Sequence, residues 1–210
     1  MEFPASLVQG YRAFREGRLA REQDRYRALA EQGQTPEVMV IGCADSRAAP
    51  EAIFDAGPGE LFVVRNVANL VPPYRPDSAH RAVSAALEFA VLGLNVKHIV
   101  VLGHARCGGV RAFAEKSAPL SPGDFIGRWM SLLEPAAARL GRREGPPDTT
   151  YLTRLEQAAI LLSLENLMSF PSIRERVQTR RLGLHAAYFD ISDGRLMVHD
   201  SESGAYRPVA

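Results

Sequence analysis

Hydrophobic and polar positions define two kinds of segment along this chain. Short, continuous apolar runs rich in β-branched residues occupy residues 38–41, 61–64 and 99–102, and such runs indicate buried β-strands, the third of which is expected over residues 97–102. Between the second and third runs, residues 78–94 carry apolar side chains at helical spacing. Because strands that alternate with helices form α/β domains, the pattern predicts a central, mostly parallel β-sheet flanked by helices.

The N-terminal part adds helices to this sheet. Residues 7–32 are rich in Arg, Glu, Gln and Ala with apolar residues at intervals, which predicts a helical arm within residues 1–33. This arm could face solvent or lie across a second subunit. Further helices are predicted near residues 125–140 and over residues 150–169. No repeat or linker interrupts the chain, so residues 1–210 are expected to form one domain.

The C-terminal part predicts a short helix and a β-hairpin. Ser172 and Glu175 form a capping-box pattern for the start of the helix. Residues 184–190 and 195–200 then have the character of strands, and Ser192-Asp193-Gly194 supplies the turn between them. The chain is therefore expected to end in a β-hairpin.

Composition narrows the classes of partner. The hydrophobic fraction of 46% in 210 residues is enough for a substantial core, and 25 basic and 24 acidic residues give a net charge of +1. This balance predicts neither nucleic acid nor an anionic membrane as a partner. The most apolar helical segment, residues 85–94, is shorter than the roughly 20 residues that span a bilayer. The N-terminus lacks the pattern of a secretory signal, so a cytoplasmic protein is expected.

The only two cysteines and one histidine stand just after predicted strands. Cys43 follows the run at residues 38–41, and His104 and Cys107 follow the run that ends at Leu102. Since ligand sites of parallel sheets lie beyond the carboxyl ends of the strands, these side chains are expected to converge. Two thiolates and an imidazole suit Zn²⁺, and three protein ligands leave a fourth position open for water, as in catalytic zinc sites. The pattern therefore predicts an open zinc site.

Other uses of the two cysteines are weaker interpretations. A disulfide is not excluded by sequence alone, but a cytoplasmic location disfavours it and the His-x-x-Cys spacing is better explained by a metal. Three residues separate Cys43 from Arg47, where the phosphate-cradling loop of cysteine phosphatases needs five. No Gly-x-Gly-x-x-Gly turn follows a strand, which argues against a dinucleotide-binding enzyme.

Around these positions the chain resembles the β-class carbonic anhydrases, in particular their plant-like bacterial subgroup. The resemblance rests on Cys43-Ala44-Asp45-Ser46-Arg47, on Gly103-His104-Ala105-Arg106-Cys107-Gly108-Gly109 and on Arg65-Asn66-Val67-Ala68-Asn69, and it extends from about Phe14 to Pro208. It implies that Cys43, His104 and Cys107 hold Zn²⁺. It also implies a carbonate dehydratase in which zinc-bound hydroxide attacks CO2 to give bicarbonate and a proton.

The resemblance further implies that Asp45 and Arg47 form a catalytic dyad. A carboxylate at Asp45 can accept a hydrogen bond from the hydroxide and orient it, and the planar fork of Arg47 can hold that carboxylate. The family also shows a closed state, in which the aspartate leaves its arginine and occupies the fourth position on zinc. Asp45 is therefore a candidate zinc ligand in that state only.

By the same resemblance, a substrate pocket is expected around Gln34, Phe62, Val67 and Phe89. Phe89 stands where the family has tyrosine, so one possible polar contact to bicarbonate is absent. Gly108 has two open interpretations, a residue that allows a tight turn or a backbone N–H that faces substrate or a thiolate.

Three functions stay open at this point. Hydration of CO2 is the leading hypothesis, and the same scaffold could instead attack CS2 or COS. A noncatalytic zinc-binding protein is the third, although it would not need both Asp45 and Arg47. Because the family's site lies at a dimer interface, a homodimer or a higher even oligomer is expected.

Overall fold

The structure, a computed structural model, describes residues 2–76 and 81–209. Within these residues the chain forms one six-stranded sheet with helices around it. The strands are β1 (Val38–Cys43), β2 (Leu61–Asn66), β3 (His98–His104), β4 (Gly183–Asp190), β5 (Arg195–Asp200) and β6 (Ala205–Pro208). The helices are α1 (Ala5–Phe14), α2 (Ala20–Gln32), α3 (Pro50–Ile53), α4 (Arg81–Glu88), α5 (Gly108–Ala114), α6 (Phe125–Met130), α7 (Glu134–Leu140), α8 (Thr149–Leu167) and α9 (Pro171–Gln178).

The sheet has the strand order β2-β1-β3-β4-β5-β6. The first four strands in this order pair in parallel, and β5 and β6 add two antiparallel strands at one edge. The predicted mostly parallel sheet and the β4–β5 hairpin are therefore confirmed. β6 is an additional strand that the sequence pattern did not indicate.

The strand order places a topological switch point between β1 and β3. From β1 the chain continues to β2 on one side, whereas β3 pairs with the other side of β1 and leads on toward β4. The register aligns Gly42 with Leu102, so the residues that follow leave the sheet at the same edge. Open α/β sheets bind ligands at such a crevice beyond the carboxyl ends of the strands.

Alternating side chains of the central strands fill both faces of the sheet. Met39 and Ile41 of β1 belong to the largest buried cluster, which also includes Ile160 of α8, whereas Val40 packs on the opposite face with Leu102. This alternation follows from the two-residue period of a strand. It fixes β1 and β3 on both faces, so their carboxyl ends are rigid supports.

The predicted N-terminal arm is a nearly continuous helix. α1 and α2 are joined by a π-helical turn at Arg15–Leu19, and none of the three segments contains a buried residue. The Arg25 guanidinium joins the arm to the Glu60 carboxylate at 3.0 Å. Leu7 and Tyr11 remain more than half exposed along α1.

Two predicted helices differ in detail from the structure. The helix predicted over residues 125–140 is divided into α6 and α7, because Pro135 takes a first-turn position in α7 and starts a new helix there. The predicted capping box is wrong, since α9 starts at Pro171 after Phe170 and has no side-chain cap. The fixed φ of proline suits a first helical position and moves the start ahead of Ser172.

The helix predicted over residues 78–94 is present from Arg81 onward. α4 continues into a π-helical turn at Phe89–Gly93 that ends beside β3. The start of this prediction, residues 78–80, lies outside the described residues. In the part of the chain that the structure describes, no helix is both long and apolar enough to cross a bilayer.

Candidate metal centre

The first loop of the centre begins where β1 ends. Cys43 is the last residue of β1, and a turn follows in which the N–H of Ala48 donates to the carbonyl of Asp45 at 3.1 Å. Arg65 donates to two backbone carbonyls of this loop, from Nε to Cys43 at 2.8 Å and from Nη2 to Asp45 at 2.6 Å. The backbone that presents Cys43 and Asp45 is thus held from the neighbouring strand.

The second loop connects β3 to α5. His104 ends β3, and Cys107 occupies the N-cap position of α5 with φ −65° and ψ 120°. Arg106 between them has a left-handed φ of 60°, a conformation that costs a non-glycine residue about 1–3 kcal/mol when strained. This turn brings His104 and Cys107 to the same side of the loop.

The three predicted ligands converge at the switch point. The Sγ atoms of Cys43 and Cys107 are 4.0 Å apart, and all three donor atoms lie within 4.8 Å of one another. Both thiols are free, and their separation is far longer than the roughly 2.05 Å of a disulfide bond. All three side chains are buried. The expected convergence of Cys43, His104 and Cys107 is therefore observed.

The hydrogen bonding of His104 leaves one nitrogen for a metal. Its Nδ1 lies 2.9 Å from the carbonyl oxygen of Ala105, which can only accept, so Nδ1 carries the proton. Its Nε2 is buried without a hydrogen-bond partner among the described residues. An orphaned ring nitrogen beside two thiols is a fit for Zn²⁺, because neutral imidazole and thiolates are its usual ligands.

The two thiols behave as an unequal pair. The contact with Cys107 lowers the pKa of Cys43, and His104 and backbone N–H groups, including that of Ala68, act in the same direction against burial. The same contact and burial raise the pKa of Cys107. The pair therefore shares a proton that a bound metal ion would replace.

Asp45 and Arg47 form a close ion pair at the mouth of this centre. Arg47 donates from Nε to Oδ1 of Asp45 at 2.9 Å, from Nη2 to Oδ2 at 2.7 Å, and from its backbone N–H to Oδ1 at 3.0 Å. These hydrogen bonds hold the pKa of Asp45 well below its usual range. The Oδ2 atom is also 3.8 Å from Nε2 of His104, so the carboxylate faces the metal ligands.

Two of the residues predicted to bind substrate are next to residues of this centre in the chain. Val67 directly precedes Ala68, whose N–H donates to Cys43 Sγ at 3.3 Å. Gly108 follows Cys107, and a Cβ atom there would meet nothing within 4 Å. Open space therefore adjoins the second cysteine, and no positive φ requires glycine at that position.

The remaining predicted pocket residues form an aromatic pair and one separate residue. The rings of Phe62 and Phe89 are 5.8 Å apart at 41°, and Phe89 is 52% exposed. Gln34 is exposed in the loop after α2, and no hydrogen bond among the described residues reaches its side chain. No hydrogen bond among the described residues therefore joins Gln34 to the other four.

Sequence reasoning missed residues that support the two loops. Arg65, Ala68 and Glu156 all contact the backbone or thiol of a cysteine, yet none was assigned a role. A signal for Glu156 was available, because it is an acidic residue among the buried positions of α8. Its hydrogen-bond partner, the N–H of Cys107, could not be deduced without the fold.

Comparison with known proteins gives one consistent result. A sequence model of the family described as carbonic anhydrase matches residues 38–196. Beta carbonic anhydrase 3 of Arabidopsis thaliana is 37% identical over 194 residues, which make up 90% of this chain and 73% of that protein.

Solved structures agree with the sequence comparison. The structure of the beta-carbonic anhydrase CcaA superposes with a TM-score of 0.87 at 27% identity and covers 98% of this chain and 91% of its own. One of two tetrameric beta-carbonic anhydrases from Sordaria macrospora has a TM-score of 0.79 at 31% identity, with coverages of 92% and 94%.

Proposed function

The chain belongs to the β-class carbonic anhydrases, and from this membership we propose how the residues around Cys43, His104 and Cys107 serve the reaction. Enzymes of this family are carbonate dehydratases, zinc-dependent lyases that interconvert CO2 and bicarbonate. The chain is therefore a carbonic anhydrase that uses zinc. The observation that carries the proposed roles is the group of three donor atoms within 4.8 Å, with the Asp45 carboxylate beside it.

Cys43, His104 and Cys107 are the residues that would hold the ion. Zinc, when bound, supplies hydroxide near neutral pH, because it lowers the pKa of the water it coordinates. Three protein ligands leave the fourth tetrahedral position for that water. The two thiolates offset the formal charge of the ion, so the chain is expected to need a higher pH for full activity than a site built from histidines alone.

Asp45 is proposed to orient the attacking oxygen. Arg47 keeps the carboxylate ionised, so Asp45 can only accept hydrogen bonds at neutral pH. Oδ2 accepts one hydrogen bond from Arg47 and has a second lone pair available on the side where His104 lies. A hydroxyl group that donates to this lone pair would have its own lone pair directed toward CO2.

Arg47 is proposed to control the position of the Asp45 carboxylate. It holds the carboxylate at both oxygens and also donates from Nη2 to the carbonyl of Arg106 at 3.2 Å, which joins the two loops. If these hydrogen bonds to Arg47 broke, the Asp45 carboxylate could occupy the fourth position on zinc and exclude water. While the ion pair is intact, Asp45 would leave that position free for water.

The substrate pocket is proposed to be mostly apolar. Phe62, Val67 and Phe89 would offer CO2 a surface with few competing hydrogen bonds, and the open space beside Gly108 would admit the product. Gln34 remains a candidate polar contact to substrate. It would reach the pocket of a neighbouring subunit if the loop after α2 lies at the subunit interface.

A homo-oligomer with an even number of subunits is proposed. The arm formed by α1 and α2 buries none of its own residues, and its exposed Leu7 and Tyr11 would be covered by a second copy. The related enzymes of Sordaria macrospora are tetrameric, which supports the same conclusion. Light scattering on the active enzyme tests it, and an active monomer would contradict it.

A cytoplasmic location is also proposed. Cys43 and Cys107 are free thiols, which suits a reducing compartment. Fractionation of cells that express the chain at its natural level tests this location.

The decisive experiment for the function measures metal content and turnover together. Purified enzyme is expected to carry zinc and to hydrate CO2, with COS and CS2 assayed in parallel. Asp45→Asn should lower CO2 hydration by roughly a hundredfold, as misplacement of a reactive group does, while zinc remains bound. Turnover of the sulfur compounds alone would favour the CS2 or COS hydrolase. Full activity of Asp45→Asn would remove Asp45 from the mechanism.

A further inference from the structure

One face of α8 contacts the loop that presents Cys107 and the segment after β2, in which Ala68 donates to Cys43. Glu156, Ile160 and Ser163 follow one another at helical spacing and are all buried. Glu156 accepts from the N–H of Cys107, and Ser163 accepts from the N–H of Val71 and donates to the carbonyl of Asn69. Ile160 lies between them and packs against Gly103. α8 therefore supports both the Cys107 loop and the segment after β2 that contacts Cys43.

Glu156 has the most direct contact with a metal ligand. Its Oε1 accepts a hydrogen bond from the backbone N–H of Cys107 at 2.9 Å, and its Oε2 accepts one from the hydroxyl of Tyr188 at 2.7 Å. Glu156 is 5% exposed and Tyr188 is 1% exposed. A carboxylate in such a buried place must have both oxygens satisfied, and these two donors do so.

Tyr188 connects this carboxylate to the strand that carries the histidine ligand. It lies on β4 directly opposite Gly103 of β3, and Gly103 immediately precedes His104. Glu156 therefore connects two parts of the centre. Its Oε2 is bound to Tyr188 of β4, which pairs with the strand that carries His104, and its Oε1 is bound to the loop that presents Cys107. A shift of the carboxylate would change the distance between the two ligands.

The Cys107 N–H depends on Glu156 for its hydrogen bond. Among the described residues the acceptor given for this N–H is Oε1 of Glu156, and Cys107 is the residue from which α5 starts. The preceding residue, Arg106, holds a left-handed backbone that neighbouring contacts must maintain. Glu156, fixed on the long helix α8, accepts from the Cys107 N–H and so helps to hold the backbone at Arg106 as well.

We propose that Glu156 is a positioning residue for zinc, which sets the position of the Cys107 thiolate relative to His104 through the Cys107 N–H and the Tyr188 hydroxyl. This role rests on the proposed function, because it takes Cys43, His104 and Cys107 as the zinc ligands. Groups that orient metal ligands typically change metal affinity by about 10- to 100-fold when removed.

The test compares three substitutions in the full-length enzyme. Glu156→Ala removes both acceptors, Tyr188→Phe removes one donor, and Glu156→Gln keeps an oxygen that can accept from Cys107 and an amide that can donate to the Tyr188 oxygen. Zinc affinity is measured by competition with a chelator, and ligand geometry is measured from the thiolate-to-cobalt absorption bands of the Co²⁺-substituted enzyme.

Glu156→Ala is expected to lower zinc affinity by about 10- to 100-fold and to shift the cobalt bands, with Tyr188→Phe changing both less. Glu156→Gln should restore most of the affinity. If Glu156→Ala does not fold, Tyr188→Phe and Glu156→Gln still test the role, because both keep the core volume. Zinc affinity and cobalt bands equal to wild type in Glu156→Ala, or in Tyr188→Phe if Glu156→Ala does not fold, would overturn the proposal.

Leu167→Ala is the matched control. Leu167 is fully buried on the same helix, but it belongs to the core cluster away from the cysteines. This variant should lose thermal stability while its zinc affinity and cobalt bands stay unchanged. A wild-type enzyme without zinc or without CO2 hydration would contradict the proposed function instead, so the two failures are distinguishable.

Discussion

Ile160 occupies the space in which a side chain at Gly103 would begin. Its Cδ1 and Cγ1 atoms lie 2.5 Å and 2.7 Å from the position of a Cβ atom built on Gly103, closer than real Cβ contacts. Gly103 is a residue of β3 and not of a turn, so glycine is required there by the close approach of α8 to the strand.

Gly103→Ala is expected to lower the free energy of unfolding by about 1–3 kcal/mol, because the added methyl must displace Ile160 or α8. Urea unfolding measures this change. Gly108→Ala is the matched comparison, since its methyl would enter open space and should leave the stability nearly unchanged.

The same Gly108→Ala variant separates the two interpretations of that residue. If substrate uses the space beside Cys107, the variant should fold like wild type and hydrate CO2 with a raised KM. A wild-type KM would instead show that substrate does not approach Gly108.

Removal of the metal should abolish activity and reduce stability together. The ion is expected to stabilise the folded chain by mass action, because the three ligands converge only when the sheet is formed. Dialysis against a chelator should lower Tm and eliminate CO2 hydration, and added zinc should restore both. Cys43→Ser is expected to show little recovery, and undiminished turnover by zinc-free protein would contradict the predicted centre.

Arg47→Lys should be nearly as inactive as Arg47→Ala. Lysine cannot reproduce the two donors that engage both oxygens of Asp45, so the carboxylate is expected to lose its orientation. We expect CO2 hydration to fall by roughly a hundredfold in both variants with zinc content unchanged. A lysine variant with the wild-type rate would show that charge alone is sufficient.

The pH profile provides a test of the proposed closed state. Asp45 has its pKa lowered by Arg47, so a change in activity across about pH 6.5 to 9 cannot come from protonation of Asp45. A steep alkaline rise in wild type is expected if the carboxylate competes with hydroxide for zinc, and Asp45→Asn should lose that steepness. A flat wild-type profile would reject the switch.

The ion pair between α7 and α8 should give a pH-dependent contribution to stability. Arg139 donates to both oxygens of Glu165 at 2.6 Å and 2.7 Å and lowers the pKa of Glu165. A lowered carboxyl pKa stabilises the fold above the ordinary glutamate pKa of about 4.3, and the effect disappears as the pH falls through the lowered value.

Arg139→Gln is therefore expected to destabilise the metal-free protein by less than about 1 kcal/mol at pH 7, since both side chains are half exposed. The difference from wild type should shrink as the pH falls below the ordinary glutamate pKa of about 4.3 and through the lowered one, which urea unfolding at pH 7 and at decreasing acidic pH can measure. A difference that persists in acid would assign the effect to packing of the arginine stem.

Most of the sheet and the metal ligands were predictable, because both depend on short-range signals. β-branched runs marked β1, β2 and β3, and the residues just after them had to meet at one edge once the strands were parallel. Start and end signals were less reliable where proline intervened, as at α9. The edge strand β6 has four residues and little apolar pattern, so no signal distinguished it from a loop.

The supports of the site were not predictable, because they join distant parts of the chain. Arg65 contacts Cys43 across neighbouring strands, and Glu156 contacts Cys107 from a helix 49 positions later. The first contact depends on how β1 and β2 pair and the second on how α8 packs, and local periodicity specifies neither. Sequence reasoning therefore named the groups that carry the chemistry and missed those that hold them in place.

The contacts of α8 also bear on when the metal centre forms during folding. Val71 is joined to Ser163 across 92 positions and Cys107 to Glu156 across 49, so the segment after β2 and the loop that presents Cys107 both depend on one late segment of the chain. A growing polypeptide exposes its two thiols to the cell well before that segment leaves the ribosome. We expect tight metal uptake to mark the end of folding, and the thiolate-to-cobalt absorption should rise with the last phase of refolding in Co²⁺.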